Sequence, residues 1–261
     1  MPFSPAVPPA VLLAALLIVG AAGVVRGFAG FGFSALSLAG LTLFVSPAQV
    51  VPPIFILEVL ASLTLLRSAW RDVDWSWLSW LAIGNALCIP IGIVLLAWVP
   101  ETPLRLLVGA LLLLAAVLLR SGRGLALEPS APVRLGVGLV SGLVNGLAAI
   151  GGIAVAVMLS GTRLGPAAMR ATMILLFLFT DLYALAWAGL VSLAEAAPVT
   201  LLGTETLRWA AWLAPAMLLG ITVGSRSFAG VSAQAFRRQV LNLLIVIASI
   251  SVLRAASGLI G

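Results

Sequence analysis

The sequence predicts an all-α polytopic membrane protein made of two inverted repeats, each a re-entrant helical hairpin followed by three transmembrane helices. Three observations support this fold class. Of the 261 residues, 62% are hydrophobic and only 8% are charged, whereas about 25% of the residues of a soluble domain are charged. Apolar runs recur along the chain at lengths suited to a bilayer, and two glycine-rich segments share one register. This composition excludes a soluble enzyme and a disordered chain.

The first repeat is predicted over residues 1–128, around a glycine-rich stretch at 27–32. Two apolar segments flank this stretch and form a hairpin whose tip contains the glycines. Because non-helical backbone in a membrane is stable only inside protein or along a cavity, we expect the tip to be enclosed. In chain order the elements are the hairpin at 9–45 and spans at 50–66, 76–98 and 103–119.

The second repeat is predicted over residues 129–261, around a glycine-rich stretch at 146–152. The apolar segments beside it, 134–144 and 152–161, would be about 16 and 15 Å long as helices. Neither could cross a hydrocarbon core about 30 Å thick, so we expect a re-entrant pair. In chain order the elements are the hairpin at 134–161 and spans at 167–191, 207–224 and 239–256.

A shift of 119 residues superposes one hairpin on the other. Glycines and a proline coincide under this shift, and they are harder to match by chance than apolar residues in such a sequence. The clearest pairs are Gly23 with Gly142, Gly27 with Gly146, Gly32 with Gly151, and Pro47 with Pro166. The register therefore indicates an internal duplication.

The arginines predict how the two repeats are oriented. All 14 basic residues are arginines. Re-entrant hairpins place ten of them, Arg170 included, on one face and three on the other, with Arg26 left at a hairpin tip. Hairpins counted as single crossings divide the other thirteen almost evenly. Because cytoplasmic loops carry the excess of positive charge, the re-entrant, inverted arrangement is favoured. It places both termini outside the cytoplasm, in the periplasm.

Broken segments at matching positions of two inverted repeats are typical of secondary transporters, whose site lies between the repeats near the midplane. Helix ends at the tips offer N–H groups that suit an anion, and glycine permits close approach of a ligand. Arg26, at the first tip, matches an oxyanion through its planar guanidinium. The candidate substrate-binding residues are Arg26, Gly27, Gly30, Gly32, Asn145, Gly146, Gly151 and Gly152.

Two carboxylates, Glu58 and Asp181, lie inside predicted spans. Buried carboxylates in transporters often carry a coupling proton, because loss of hydration disfavours their charged form. They are therefore candidates for coupling or charge balance. Two alternatives remain open for Arg26: it pairs with one of these carboxylates, or the first hairpin crosses fully and places Arg26 in the cytoplasmic interface.

No cofactor or metal is expected, because the chain has no histidine and its one cysteine, Cys88, lies in an apolar run. We also expect no enzyme activity, since no nucleophile and base stand out. The arginines lie mostly at segment ends, where they act as topology signals, so nucleic acid is not an expected partner. The expected partners are a small anion, the lipid bilayer and protons as a candidate coupling ion. An anion channel is the alternative.

Two pairs of motifs resemble the sulfite exporter TauE/SafE family, also called the toluene-sulfonate uptake permease family. The first is Arg26-Gly-Phe-Ala-Gly-Phe-Gly32 with Ser46-Pro-Ala48, and its echo is Asn145-Gly-Leu-Ala-Ala-Ile-Gly-Gly152 with Gly165-Pro-Ala167. Through the two-repeat layout the resemblance extends over essentially the whole chain. It implies a permease for sulfur-containing anions such as sulfite, sulfoacetate or other organosulfonates. The residues alone indicate an anion transporter, which leaves a non-sulfur carboxylate as an alternative substrate.

Overall fold

The computed structural model describes residues 8–121, 130–162, 164–194 and 197–226, together with 242, 245, 246 and 249. These residues contain nine named α-helices and no strand, and a single 3₁₀ turn (Trp70–Asp72) follows the third helix. The helices are α1 (Pro9–Ala29), α2 (Phe33–Leu41), α3 (Pro47–Ala69), α4 (Trp75–Trp98), α5 (Glu101–Ser121), α6 (Ala131–Ala148), α7 (Gly152–Ser160), α8 (Pro166–Leu193) and α9 (Thr204–Arg226).

Seven of the described helices are long and apolar enough to cross a membrane: α1, α3, α4, α5, α6, α8 and α9. The prediction of an all-helical, multi-pass membrane protein is thereby confirmed. Five of the predicted spans correspond to α3, α4, α5, α8 and α9, each a few residues longer than its apolar run. The predicted span at 239–256, apart from residues 242, 245, 246 and 249, and the boundary at 128/129 lie outside the described residues.

Helix α6 is longer than the apolar segment predicted at 134–144. It has 18 residues, about 27 Å at the usual helical rise, and is itself long enough to be a candidate span. It begins earlier, with Pro132 in its first turn, and continues through Asn145 and Gly146. The length argument for a second re-entrant hairpin therefore does not hold for this arm. Helices α2 and α7 have nine residues each and are about 14 Å long, too short to cross a bilayer core about 30 Å thick. Whether the hairpins are re-entrant stays a prediction.

Helix boundaries recur at the shift of 119 residues. Helices α1 and α6 end at Ala29 and Ala148, and α3 and α8 begin at Pro47 and Pro166. Helix α2 likewise has the bounds of α7 under the same shift. Packing recurs in the same way: α1 contacts α9 and α6 contacts α4, while α3 and α8 contact each other. This pattern is what two interlocked repeats require, and their inversion stays a prediction.

Glycines bring the paired helices into backbone contact. A Cβ atom on Gly23 of α1 would lie 2.5 Å from the carbonyl oxygen of Met217 in α9. A Cβ atom on Gly142 of α6 would lie 2.6 Å from the carbonyl oxygen of Asn85 in α4. Because lipid provides no hydrophobic force between helices, such close approach of small residues stabilises their association. These two contacts hold the hairpins against α9 and α4 and leave their tips to meet α3 and α8.

Candidate functional site

The first tip is a break between α1 and α2 that needs glycine. Gly30 and Gly32 have φ angles of 79° and 93°, in the left-handed region that favours glycine. The N–H of Gly30 donates to the carbonyl of Arg26 at 2.8 Å and ends α1. At the second tip Ala149 takes the place of Gly30, with a φ angle of 56°, and its N–H donates to the carbonyl of Asn145 at 2.7 Å. Both breaks thus bring a polar residue to the last turn of the preceding helix.

Arg26 is fully buried at the first tip, with 0% of its surface exposed. Its NH2 atom lies 3.1 Å from Oε2 of Glu58 and donates to the hydroxyl of Ser62 at 3.0 Å. Its NH1 atom donates to the carbonyl of Gly30 at 2.8 Å, and the guanidinium lies 4.6 Å from the ring centroid of Phe177. A guanidinium enclosed in this way must be paired to be tolerated. Of the partners that the sequence left open, the structure shows Glu58.

Glu58 bridges Arg26 and the start of α2. Its Oε1 atom accepts a hydrogen bond from the Ser34 N–H at 3.3 Å and another from the Ser34 hydroxyl. The N-terminus of a helix carries a partial positive charge and free N–H groups, so it binds anions. The structure therefore shows a side-chain carboxylate at the tip position where the sequence predicted an anionic ligand.

The second tip contains an equivalent contact. The side-chain amide of Asn145 donates to Oδ1 of Asp181 at 2.9 Å, and both residues are buried. Under the shift of 119 residues this pair corresponds to Arg26 and Ser62. The two tips thus use one contact in two chemical forms, guanidinium to hydroxyl and amide to carboxylate.

Phe177 of α8 connects the two tips. It corresponds to Glu58 under the shift of 119 residues, so a ring replaces a carboxylate beside the second tip. The ring lies so close to Gly152 at the second tip that a Cβ atom there would collide with it. The same ring also lies beside the Arg26 guanidinium at the first tip. One side chain of α8 therefore contacts residues of both tips.

Arg170, in the first turns of α8, adds a second guanidinium to the first tip. Its NH2 atom lies 3.5 Å from the carbonyl oxygen of Gly27. A Cβ atom on Gly30 would lie 2.7 Å from the Arg170 Cγ atom. From the sequence, Arg170 is predicted only to lie among the arginines of one membrane face. No spacing reveals its role, because the contact with the first hairpin exists only in the folded chain.

The predicted site residues divide into two groups. Arg26, Gly30, Asn145 and Gly152 line the buried cluster described above, with the two predicted carboxylates beside them. Of the other predicted glycines, Gly27 and Gly146 pack against backbone, of Ile221 in α9 and Ile89 in α4 respectively. Gly151 lies against the Ser141 carbonyl and the Asn145 side chain of α6, and Gly32 lies near a Val25 methyl group. The residues that sequence reasoning missed are Ser62, Phe177 and Arg170.

The cluster is closed on all sides in this structure. Arg26, Glu58, Asn145 and Asp181 are at most 2% exposed. Within the described ranges, no group of three or more histidine, cysteine, aspartate or glutamate side chains could hold a metal ion. A cavity of about 450 Å³ between α5, α6 and α7 has an apolar lining and does not reach the cluster. The tips present guanidinium, hydroxyl, amide and backbone N–H donors, which are groups able to bind an anion.

Comparison with known proteins gives one result for this chain. The family model described as Sulfite exporter TauE/SafE matches residues 15–251, nearly the whole chain. No curated protein and no solved structure matches the chain significantly. The match includes both tips and all of the residues of the cluster, and it confirms the resemblance that the tip motifs indicate.

Proposed function

The chain belongs to the sulfite exporter TauE/SafE family of membrane transporters, and we propose that it is a secondary transporter of small sulfur-containing anions. The substrates would be sulfite, sulfoacetate or other organosulfonates, carried across the bacterial inner membrane. One observation carries this proposal beyond the family: Arg26 and the N-terminus of α2 together hold a carboxylate in the buried cluster. A place that binds one oxyanion from the chain itself has the donors to bind another.

Substrate binding is proposed at both tips. At the first, the oxyanion would contact the Arg26 guanidinium and the N–H groups at the start of α2, while Gly30 and Gly32 keep the backbone accessible. At the second, Asn145 and the glycines Gly151 and Gly152 would contact the rest of the substrate. The Phe177 ring between the tips offers an apolar surface to the organic part of a sulfonate.

Transport is proposed to occur by alternating access. The closed cluster agrees with an occluded state, from which the repeats would open to one side and then to the other. Helices α3 and α8 contact each other between the repeats, and each carries a carboxylate that holds a tip residue, so they would be elements against which the tips move. We propose that the repeats are inverted and that both termini are periplasmic, as the arginine distribution favours.

Glu58 and Asp181 are the proposed groups for charge balance or proton coupling. Both are buried in the described helices, and each contacts a tip residue directly. Arrival of an anion would change the charge next to either carboxylate. Protonation of one of them during transport would restore neutrality without requiring a histidine.

A second candidate is a transporter of a non-sulfur carboxylate. The observation that favours it is the same contact, since the group that Arg26 holds is itself a carboxylate. Both candidates predict saturable, slow flux, whereas the channel alternative predicts fast flux without saturation.

Flux into proteoliposomes tests the proposal. Purified protein would be reconstituted, and uptake of sulfite, sulfoacetate and acetate would be followed over a concentration series. We expect saturable uptake of a sulfur anion that falls about tenfold or more in Arg26→Gln, because charged hydrogen bonds contribute about 1.5–3 kcal/mol. Arg208→Gln is the matched control, since Arg208 pairs with Glu205 on the exposed surface. Uptake no faster than into empty vesicles for every anion would contradict the proposal.

A further inference from the structure

We propose that Glu58 is a tethered competitor for the substrate, which binds only when its oxyanion displaces this carboxylate, and that the competition selects sulfur oxyanions over carboxylates. This inference rests on the proposed function and specifies how the same site chooses its ligand. It follows from the contacts of Glu58, from the unused donors around it and from the charge at the first tip.

Glu58 occupies both of the contacts proposed for the substrate. One oxygen, Oε1, accepts from Ser34 at the start of α2, and the other, Oε2, lies 3.1 Å from the Arg26 NH2 atom. An incoming anion with two oxygens on one atom would reproduce the same two contacts. The carboxylate and the substrate therefore cannot hold this place together, and the cluster leaves no open surface through which a second anion could reach Arg26.

Tethering gives Glu58 an advantage over any free anion that makes only the same contacts. A group attached to the chain acts at an effective concentration that is typically in the millimolar range or above. A free carboxylate has two oxygens and can only repeat what Glu58 already does. An anion displaces Glu58 efficiently when it accepts more hydrogen bonds than a carboxylate can.

Two additional donors lie on α1 and α2, the helices that Glu58 bridges. Among the described residues, neither Nε of the fully buried Arg26 nor the hydroxyl of the buried Ser37, one turn after Ser34 in α2, has a hydrogen-bond partner. Oε2 of Glu58 also accepts no well-aligned hydrogen bond there, although Arg26 lies close. Buried donors left without acceptors are costly. A sulfonate or sulfite has a third oxygen, and so it satisfies a donor that Glu58 leaves unused.

The first tip also has positive charge for a second anion. Arg170 lies against Gly30 and Gly27, and its buried Nε atom has no hydrogen-bond partner in the described part of the chain. When the substrate takes the Arg26 guanidinium, Arg170 would be the cation that remains at this tip for the displaced Glu58 carboxylate. Displacement therefore does not leave an isolated charge in the protein interior, which would be prohibitive.

Acetate and methanesulfonate provide a matched pair of probes, because each carries one negative charge and they differ by one acceptor oxygen. Thermal stability of the purified full chain would be titrated with each sodium salt at constant ionic strength, since a ligand that binds the folded state raises its stability. We expect methanesulfonate to half-saturate wild type at a concentration about tenfold or more below that of acetate. In Glu58→Gln both anions should bind about tenfold or more tightly than in wild type, and their ratio should fall to about threefold or less.

Glu101→Gln is the control, because it removes the same charge from an exposed pair with Arg105. If Glu58→Gln does not fold, Glu58→Asp serves instead, since it keeps the charge but cannot reach both Ser34 and Arg26. It should then lower both half-saturating concentrations about threefold or more.

The outcomes separate the two proposals. Tighter binding in the Glu58 variant, with reduced discrimination, supports the tethered competitor, even where wild type binds too weakly to measure. If wild type binds methanesulfonate and the Glu58 variant binds it equally tightly or more weakly, the inference is overturned and the proposed transport function still stands. Absence of any anion effect on wild type and on the variant overturns the inference, and the proposed function then fails if flux is absent as well.

Discussion

Removing both members of the buried ion pair should destabilise the protein less than the sum of the two single removals. The pair joins Arg26 of α1 to Glu58 of α3 at 3.1 Å, with both side chains at most 2% exposed. Arg26→Met would leave a buried carboxylate without its cation, and Glu58→Gln would leave a buried guanidinium without its anion. The double variant Arg26→Met with Glu58→Gln leaves neither charge, while the amide oxygen at position 58 can still accept from Ser34.

The magnitude follows from the geometry. Breaking a buried pair by removing one partner costs about 3–5 kcal/mol, and much of this cost is the remaining unpaired charge. The double variant removes that charge but still loses the hydrogen bonds from Arg26 to Gly30 and Ser62. We therefore expect the double variant to be more stable than the sum of the single costs implies by about 2–3 kcal/mol, the upper range of measured coupling energies.

A double-mutant cycle measures this coupling. Free energies of unfolding of the four proteins would be obtained by denaturant titration in mixed micelles. Arg105 and Glu101 form the control cycle, because they make a similar contact, at 2.7 Å, with side chains that are 27% and 56% exposed. That coupling should be about 0.5 kcal/mol or less. Additive single costs at Arg26 and Glu58, within about 0.5 kcal/mol, would refute the reasoning that the pair is closed to solvent.

Two further predictions concern the backbone of the hairpins. Ala149→Gly should stabilise the protein by about 1 kcal/mol, because a left-handed conformation strains alanine. For the same reason Gly30→Ala should destabilise the protein. A loss of thermal stability in Ala149→Gly would contradict this account of the second tip. Gly142→Ala should cost about 1–3 kcal/mol, because its Cβ atom would lie 2.6 Å from the Asn85 carbonyl. Gly136→Ala in the same helix, where nothing lies within 4 Å, should be neutral or stabilising, and equal destabilisation by both changes would count against the α4–α6 contact.

The breaks between helices could be predicted from sequence to within a few residues. Gly30 and Gly32 interrupt the first hairpin, and Pro47 and Pro166 begin the helices after each hairpin. These signals are local, because a left-handed turn needs glycine and a helix start tolerates proline. Glycines and prolines that recur at one spacing therefore predict where helices begin and end, without knowledge of the tertiary structure.

The length of α6 and the partner of Arg26 could not be predicted in the same way. A segment defined by apolar residues alone ends at Val144, but α6 continues through Asn145. The polar Asn145 is accommodated there because its side-chain amide donates to Asp181 of α8. The sequence supplies a guanidinium and two carboxylates inside spans, yet only the folded chain, which brings Arg26 of α1 next to Glu58 of α3, decides that Glu58 is the partner. Arg170 is a stronger case, since a residue at a helix start looks like a topology signal until the fold places it over a tip.

The most direct test of the central claim is anion-dependent thermal stability of wild type and Arg26→Lys, which keeps the charge and loses the planar fork. The panel is sulfite, sulfoacetate, taurine, sulfate, acetate and chloride at equal ionic strength. The account predicts a shift selective for one sulfur anion in wild type, its loss in Arg26→Lys and its retention in the exposed variant Arg208→Lys. A shift of equal size in wild type and Arg26→Lys would contradict the claim that this guanidinium holds the substrate.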